Sequence, residues 1–141
     1  MNRDKLQAAA LAELLDLTSR QLHSRGFAEE LFPAQWVALR YIAKAPAGKR
    51  TSSELARFQG LANGPVSRTV RTLILKGLVS KAAEQAKGRA EDLELTVAGQ
   101  NLMRSDPLLE IVTILMGLPA DERDVLAKAL ERILRSMHDI S

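Results

Sequence analysis

The 141-residue chain has no cysteine. That excludes disulfides, thiolate zinc sites and any thiol redox switch within it. Histidine is nearly as scarce. His23 and His138 are the two present, and they stand at no metal-ligand spacing, which argues against a zinc sensor. Aromatic residues make up 4% of the chain, including one Trp and one Tyr. No apolar run approaches the roughly 18 residues that a membrane span needs. The opening Met1-Asn2-Arg3-Asp4-Lys5 leads into a segment carrying Glu13 and Asp16, so an uninterrupted apolar signal core is missing. There is no glycine-rich phosphate loop, no Gly-x-Ser-x-Gly and no His–carboxylate cluster, so no catalytic set is expected. What remains is ordinary for a folded globular chain: 46% apolar and 26% charged residues. The expectation is a soluble, cytoplasmic, non-enzymatic protein without a cofactor or membrane partner.

The charge is placed unevenly. The total is +3. Between Lys49 and Ala90, however, nine basic residues face only Glu54 and Glu84, so this stretch carries +7 and the remainder −4. A basic middle between acidic ends suggests a polyanion-binding module between scaffolding segments. On charge alone, a solvated basic surface fits equally well.

Periodicity divides the chain into elements. Leu6, Ala10, Leu14 and Leu17 share one helical face, widened by Leu11, Leu15 and Leu22, with Gly26 as the terminator. Pro33 suits the first position of a second helix, in which Trp36 is a core anchor, before Pro46-Ala47-Gly48 breaks the chain. Thr51 and Glu54 have the capping-box spacing. The short helix they open is expected to bury Leu55, Ala56 and Phe58 and to end at Gly60. Asn63 is expected to cap the next helix, whose buried stripe is Val66, Val70, Leu73 and Ile74, with Gly77 as its stop. Two short helices joined by a small glycine-containing turn form a helix-turn-helix pattern. The period then changes: Leu78-Val79-Ser80-Lys81 and Leu93-Glu94-Leu95-Thr96 read as short strands of a hairpin with the basic tip Lys87-Gly88-Arg89. Thr96 caps a further helix, and a helical restart is expected at Ser105-Asp106-Pro107. Leu108 to Met116 is apolar nearly all round. A last helix carries Leu126, Leu130, Ile133 and Met137 on one face. The fold class expected is mainly α with a small β-hairpin wing: a winged helix-turn-helix.

With Val66, Val70, Leu73 and Ile74 inward, Ser67, Arg68, Arg71 and Thr72 point sideways or outward. A helix in the major groove reads bases with its N-terminal residues and touches phosphates further along. This places Gly64, Pro65, Ser67 and Arg68 nearest the base edges, with Asn63, Arg71 and Thr72 as further DNA contacts. Arginine is the strongest guanine reader. Arg89 at the hairpin tip suits a minor groove, and Lys87 suits phosphate. Solvated side chains are the bland reading of the same residues.

At these positions the sequence resembles the MarR (multiple-antibiotic-resistance regulator) family. The matching series runs from Leu31-Phe32-Pro33-Ala34-Gln35-Trp36 through Ser53-Glu54-Leu55-Ala56 and Val66-Ser67-Arg68-Thr69-Val70 to Lys76-Gly77-Leu78-Val79. It closes with Arg89, six residues before Leu95-Thr96, followed by Ala98-Gly99. The resemblance covers Leu31 to Leu102 closely. One departure stands out: the family's usual wing acid, two positions before the arginine, is Lys87 here. That implies a looser but more cationic wing.

The resemblance implies one unit over residues 1–141, with a winged helix-turn-helix over 31–99 and dimerisation helices over 2–25 and 100–140. It implies a homodimer that binds a pseudo-palindromic DNA operator, acts as a repressor, and is released by a small aromatic or lipophilic acid. Independently, the apolar surface of the first and last helices exceeds what one small winged domain can cover, which suits a two-fold interface. Arg20, His23, Trp36, Arg40, Tyr41 and Met103 are effector-site candidates from position in that layout, and packing or surface roles fit each of them as well. The absence of cysteine rules out the peroxide-sensing thiols of some relatives. A winged-helix adaptor, with Arg68 and Arg71 facing an acidic protein, is the alternative.

Overall fold

A computed structural model of the chain describes residues 2–82 and 92–140. The order of elements is α1 (Arg3–Arg25), α2 (Pro33–Lys44), α3 (Ser52–Gln59), α4 (Asn63–Leu75), β1 (Val79–Lys81), β2 (Leu93–Leu95), α5 (Val97–Leu102), a 3₁₀ turn (Met103–Ser105), α6 (Leu108–Met116) and α7 (Ala120–Ile140). The chain divides into two compact units, one ending at Pro107 and one starting at Leu108. The first is mainly helical with an antiparallel pair of strands, the expected winged-helix class.

The core of the first unit sits between α2, α3, α4 and the strands. Trp36, Leu39, Ile42, Leu55, Val66, Val70, Leu73, Val79 and Leu93 are buried there. Trp36 is 0% exposed, and its indole Nε1 donates to the Ala28 carbonyl at 3.3 Å, as a buried indole must. α2 starts at Pro33, as the sequence suggests. The Gln35 side chain reaches back to accept the Phe32 N–H at 2.9 Å, so one first-turn donor is satisfied. β1 and β2 pair with Val79 opposite Leu95 and Lys81 opposite Leu93. The Leu93 N–H also donates to the Arg50 carbonyl at 2.8 Å. The buried Asp92 carboxylate accepts the Gly48 N–H at 2.6 Å. The α2–α3 loop is thereby stitched to the root of the hairpin.

Three local expectations are corrected. Phe58 is 67% exposed, not buried. At roughly 100° per residue it lies well round from the face made by Leu55 and Ala56, and it stacks on Tyr41 at the surface. Ile74 is 38% exposed, because Val66, Val70 and Leu73 already define the buried line and Ile74 falls at its edge. Asn63 is the first residue of α4 rather than its cap. Ala62 holds the cap position with no side-chain bond. Pro65 then occupies the third helical position, where the N–H that a cap side chain usually takes is missing.

The link from α1 to α2 is strained. Glu29 and Glu30 both have positive φ, 55° and 61°, between the bridge partners Ala28 and Leu31. Two consecutive left-handed residues are the geometry that Asn-Gly adopts at low cost and glutamate does not. Lys76 Nζ donates to the Glu30 carbonyl at 3.1 Å and helps hold the turn. The double replacement Glu29→Asn with Glu30→Gly is expected to stabilise the protein by about 1 kcal/mol. Thermal melts followed by circular dichroism would test it; an unchanged or lower midpoint would show that the turn stores no strain.

In the second unit, Leu118 and Pro119 separate α6 from α7, and Asp121 and Glu122 occupy the first turn of α7, where the helix dipole favours them. Neither α6 nor α7 has a buried residue, and α1 has none either. Val112, Ile114 and Met116 on α6, and Val125, Leu134 and Met137 on α7, are all open to solvent in the single chain.

Candidate nucleic-acid interface

α3 and α4 are set by local signals. Thr51 Oγ1 accepts the Glu54 N–H at 3.1 Å and starts α3. Gly60, at φ +66°, ends it in the left-handed region that glycine adopts without strain. Leu61 N–H returns to the Ala56 carbonyl at 3.0 Å, which closes the turn and aims α4. Val66, Val70 and Leu73 then anchor α4 to the core. Its opposite side carries Asn63, Gly64, Pro65, Arg68 and Arg71, all exposed, with Ser67 and Thr72 half-buried beside them. The predicted outward face therefore lies on one surface.

That surface is purely cationic. Three arginines elsewhere pair with carboxylates: Arg20 with Asp16, Arg40 with Asp106 and Arg57 with Glu54. α4 contains no acidic residue, and among the described residues neither Arg68 nor Arg71 has an ion-pair partner. The Arg68 head group lies back over the first turn, with Nη1 4.0 Å from where a Cβ on Gly64 would stand. The Thr72 hydroxyl donates to the Arg68 carbonyl at 3.0 Å. Its donor is thus spent within the helix and only its acceptor lone pairs face outward. Lys87 and Arg89, the predicted wing contacts, lie outside the described residues.

The six effector candidates are distributed differently. Trp36 has no exposed surface, so it serves the core. Arg20 is exposed and donates from Nε to Asp16 at 3.0 Å. The His23 ring meets Phe27 edge-to-face at 5.6 Å, and Phe27 meets Phe32 in the same way at 5.9 Å. Arg40 and Met103 are brought together around Asp106, which takes Arg40 through its carboxylate and donates its own N–H to the Met103 carbonyl at 3.2 Å. The Arg40–Asp106 pair was not legible in the sequence. Its members are 66 positions apart, and no local pattern links them.

Tyr41 donates its hydroxyl to the Lys49 carbonyl at 2.8 Å, and its ring centroid lies 5.1 Å from that of Phe58. Burial raises its pKa, and the nearby Glu54 carboxylate raises it further, against an opposing effect of Arg57. A raised folded-state value favours the neutral phenol. The stabilisation this represents is present at and below the unfolded pKa and is lost as pH climbs through the folded one. Tyr41 is the only tyrosine, so phenolate absorbance reads it alone. The expected midpoint is higher in the native protein than in urea; coincident midpoints would refute the shift.

Among the described residues no group of three His, Asp or Glu side chains is arranged to hold a metal ion, and no helix is long and apolar enough to cross a membrane. Comparison with known proteins adds the decisive observation: residues 31–90 match a family model described as MarR family. This segment belongs to the MarR family. The MarR-matching stretch takes in α2, α3, α4 and β1, the elements that build and orient the cationic face. Solved MarR-type structures share the fold over nearly the whole chain. One is a MarR family protein from Bacillus stearothermophilus, with TM-score 0.69, 21% identity, and coverage of 98% of this chain and 99% of that one. Another is a MarR/EmrR family regulator from Acinetobacter sp. ADP1, with TM-score 0.69, 22% identity and full coverage of both chains. A third is the MepR–DNA complex of S. aureus, with TM-score 0.70, 19% identity, and coverage of 90% of this chain and 97% of that one. A search of curated proteins gives no match.

Proposed function

We propose that the chain is a sequence-specific DNA-binding transcription regulator of the MarR type. It acts as a homodimeric repressor on a pseudo-palindromic operator. The observation that carries this reading is the exposed α4 face, where Arg68 and Arg71 have no carboxylate partner among the described residues. A guanidinium without a protein partner is suited to guanine edges and phosphates. The MarR-family match over residues 31–90 supports the reading, as does the likeness to MepR, a protein solved with DNA. Residues 31–99 are the DNA-binding region on this reading. Segments 2–25 and 100–140 supply the dimer contacts, since their exposed leucines, valines and methionines need a cover that the single chain lacks. A small aromatic or lipophilic acid is the proposed releasing effector. It works by favouring a dimer whose recognition helices are wrongly spaced. The protein works in the cytoplasm, without a cofactor.

The test is binding of the purified chain to duplexes selected from genomic fragments, followed by fluorescence polarisation across a salt series. One phosphate-contacting arginine, Arg71, from each of two copies predicts a log–log slope of roughly −2, steeper if the wing also meets phosphate. No duplex binding at low salt would overturn this reading in favour of an adaptor for an acidic protein.

A further inference from the structure

The first turn of α4 departs from what its residues suggest, and the departure frees a side chain. Asparagine is a favoured helix cap because its side-chain oxygen accepts a first-turn N–H. Here the cap position belongs to Ala62, and Asn63 is the first helical residue. The Asn63 carboxamide is exposed and makes no hydrogen bond to any described residue. Further along the same helix, the hydroxyls of Thr69 and Thr72 donate back to the Pro65 and Arg68 carbonyls at 3.1 and 3.0 Å. Those donors are spent within the helix. Asn63 keeps both its donor group and its acceptor for a partner from outside the chain.

The surroundings present that amide rather than cover it. Gly64 brings no side chain, and the Arg68 guanidinium lies back beside it, with Nη1 4.0 Å from where a Cβ would stand. Pro65 adds neither an N–H nor a polar side-chain atom. The leading end of α4 therefore carries one amide, with a donor and an acceptor, and one guanidinium, with donors alone. Its placement on the body of the domain is fixed. The Gly60 N–H donates to the Arg57 carbonyl at 3.2 Å and the Leu61 N–H to the Ala56 carbonyl at 3.0 Å. Val66, 1% exposed, locks the following turn into the core. A polar group held on a rigid element can tell one base edge from another.

We propose that Asn63 is a specificity-determining residue of the DNA contact and that it reads adenine. In the major groove adenine shows an acceptor at N7 beside a donor at N6, the complement of one carboxamide. Guanine shows two acceptors, which suit a guanidinium instead. Asn63 and Arg68 together select an adenine and a guanine within about two base pairs of each other in each half-site. This assignment rests on the regulator reading above and names a base that the arginines do not supply.

The experiment uses the full chain and the operator selected from genomic fragments. Symmetry-related adenines are replaced, one pair at a time, by 7-deazaadenine, which keeps base pairing and deletes only the N7 acceptor. At one such pair the parent protein is expected to lose about tenfold in affinity. Asn63→Ala is expected to lose at least that much on the unmodified duplex, and to respond to the modified pair by no more than about twofold. The variant removes an exposed side chain with no described partner, and alanine is a good helix former, so its circular dichroism should match the parent's. If no adenine pair separates the parent from Asn63→Ala, the adenine assignment is overturned. An equal loss on every sequence, operator or not, also overturns it and marks a phosphate contact. A parent chain that binds no duplex at low salt overturns the regulator reading itself; tight parental binding without a coupled adenine strikes this assignment alone.

Discussion

Replacing Arg68 and Arg71 together by alanine is expected to lower affinity for the selected operator by at least about 100-fold. Each arginine contact to a base or phosphate contributes about 1–3 kcal/mol, and the dimer carries every change twice. The fold is not at stake. Both side chains are exposed, neither has an ion-pair partner among the described residues, and alanine is the better helix former. Circular dichroism should therefore be unchanged while polarisation shows the loss. The single changes separate the roles. Arg68 lies over the first turn of α4 beside Gly64, so Arg68→Ala should flatten the preference between operator sequences. Arg71 sits one turn later, so Arg71→Ala should weaken all sequences alike and make the salt slope shallower by about one per copy. A double variant that binds as tightly as the parent would sink the assignment of α4 as the recognition helix.

Gly99→Ala should be the most damaging single methyl in the chain. A Cβ at Gly99 would overlap the Leu78 carbonyl oxygen and press on its carbon at 3.1 Å and on the Leu95 Cβ at 3.4 Å. Leu78 cannot yield, since the same carbonyl accepts the Thr96 N–H at 3.1 Å. Thr96 is in turn committed twice: its hydroxyl donates to the Gly77 carbonyl at 2.6 Å and accepts the Gly99 N–H at 3.0 Å. Moving α5 away breaks this cap, and Gly77 sits at φ +75°, so the corner has little freedom. Helix propensity favours alanine by about 1 kcal/mol. Backbone overlap of this kind costs about 3 kcal/mol or more, so the clash wins. The expected result is a melting midpoint lower by about 5–10 °C. A midpoint at or above that of the parent would show that α5 approaches Leu78 less closely than described.

Much of this molecule was legible from residue order because its governing forces are local. Gly60 and Gly77 mark helix ends where the backbone turns left-handed. Pro33 and Thr96 start helices because a missing N–H and a side-chain oxygen suit first turns. Val66, Val70 and Leu73 follow the helical period into the core, which by itself placed Arg68 and Arg71 outside. The misreadings lie where local rules give two answers. Phe58 is apolar enough for the core but falls off the buried arc of a helix only eight residues long. Asn63 is a good cap, but α4 begins one residue earlier, which puts Ala62 at the cap position and Asn63 inside the first turn.

By itself, then, the sequence determined the order of helices, the hairpin, the exposed arginine face and the +7 concentration of charge between Lys49 and Ala90. Periodicity, capping and charge all act over a few residues, so they can be read along the chain. The tertiary structure alone decided which distant groups meet. It brought Arg40 to Asp106, Gly99 against Leu78 and Asp92 to Gly48, and it turned Glu29 and Glu30 into a strained corner. Such contacts depend on how packed elements converge in space, and a one-dimensional pattern of residue types holds no record of that.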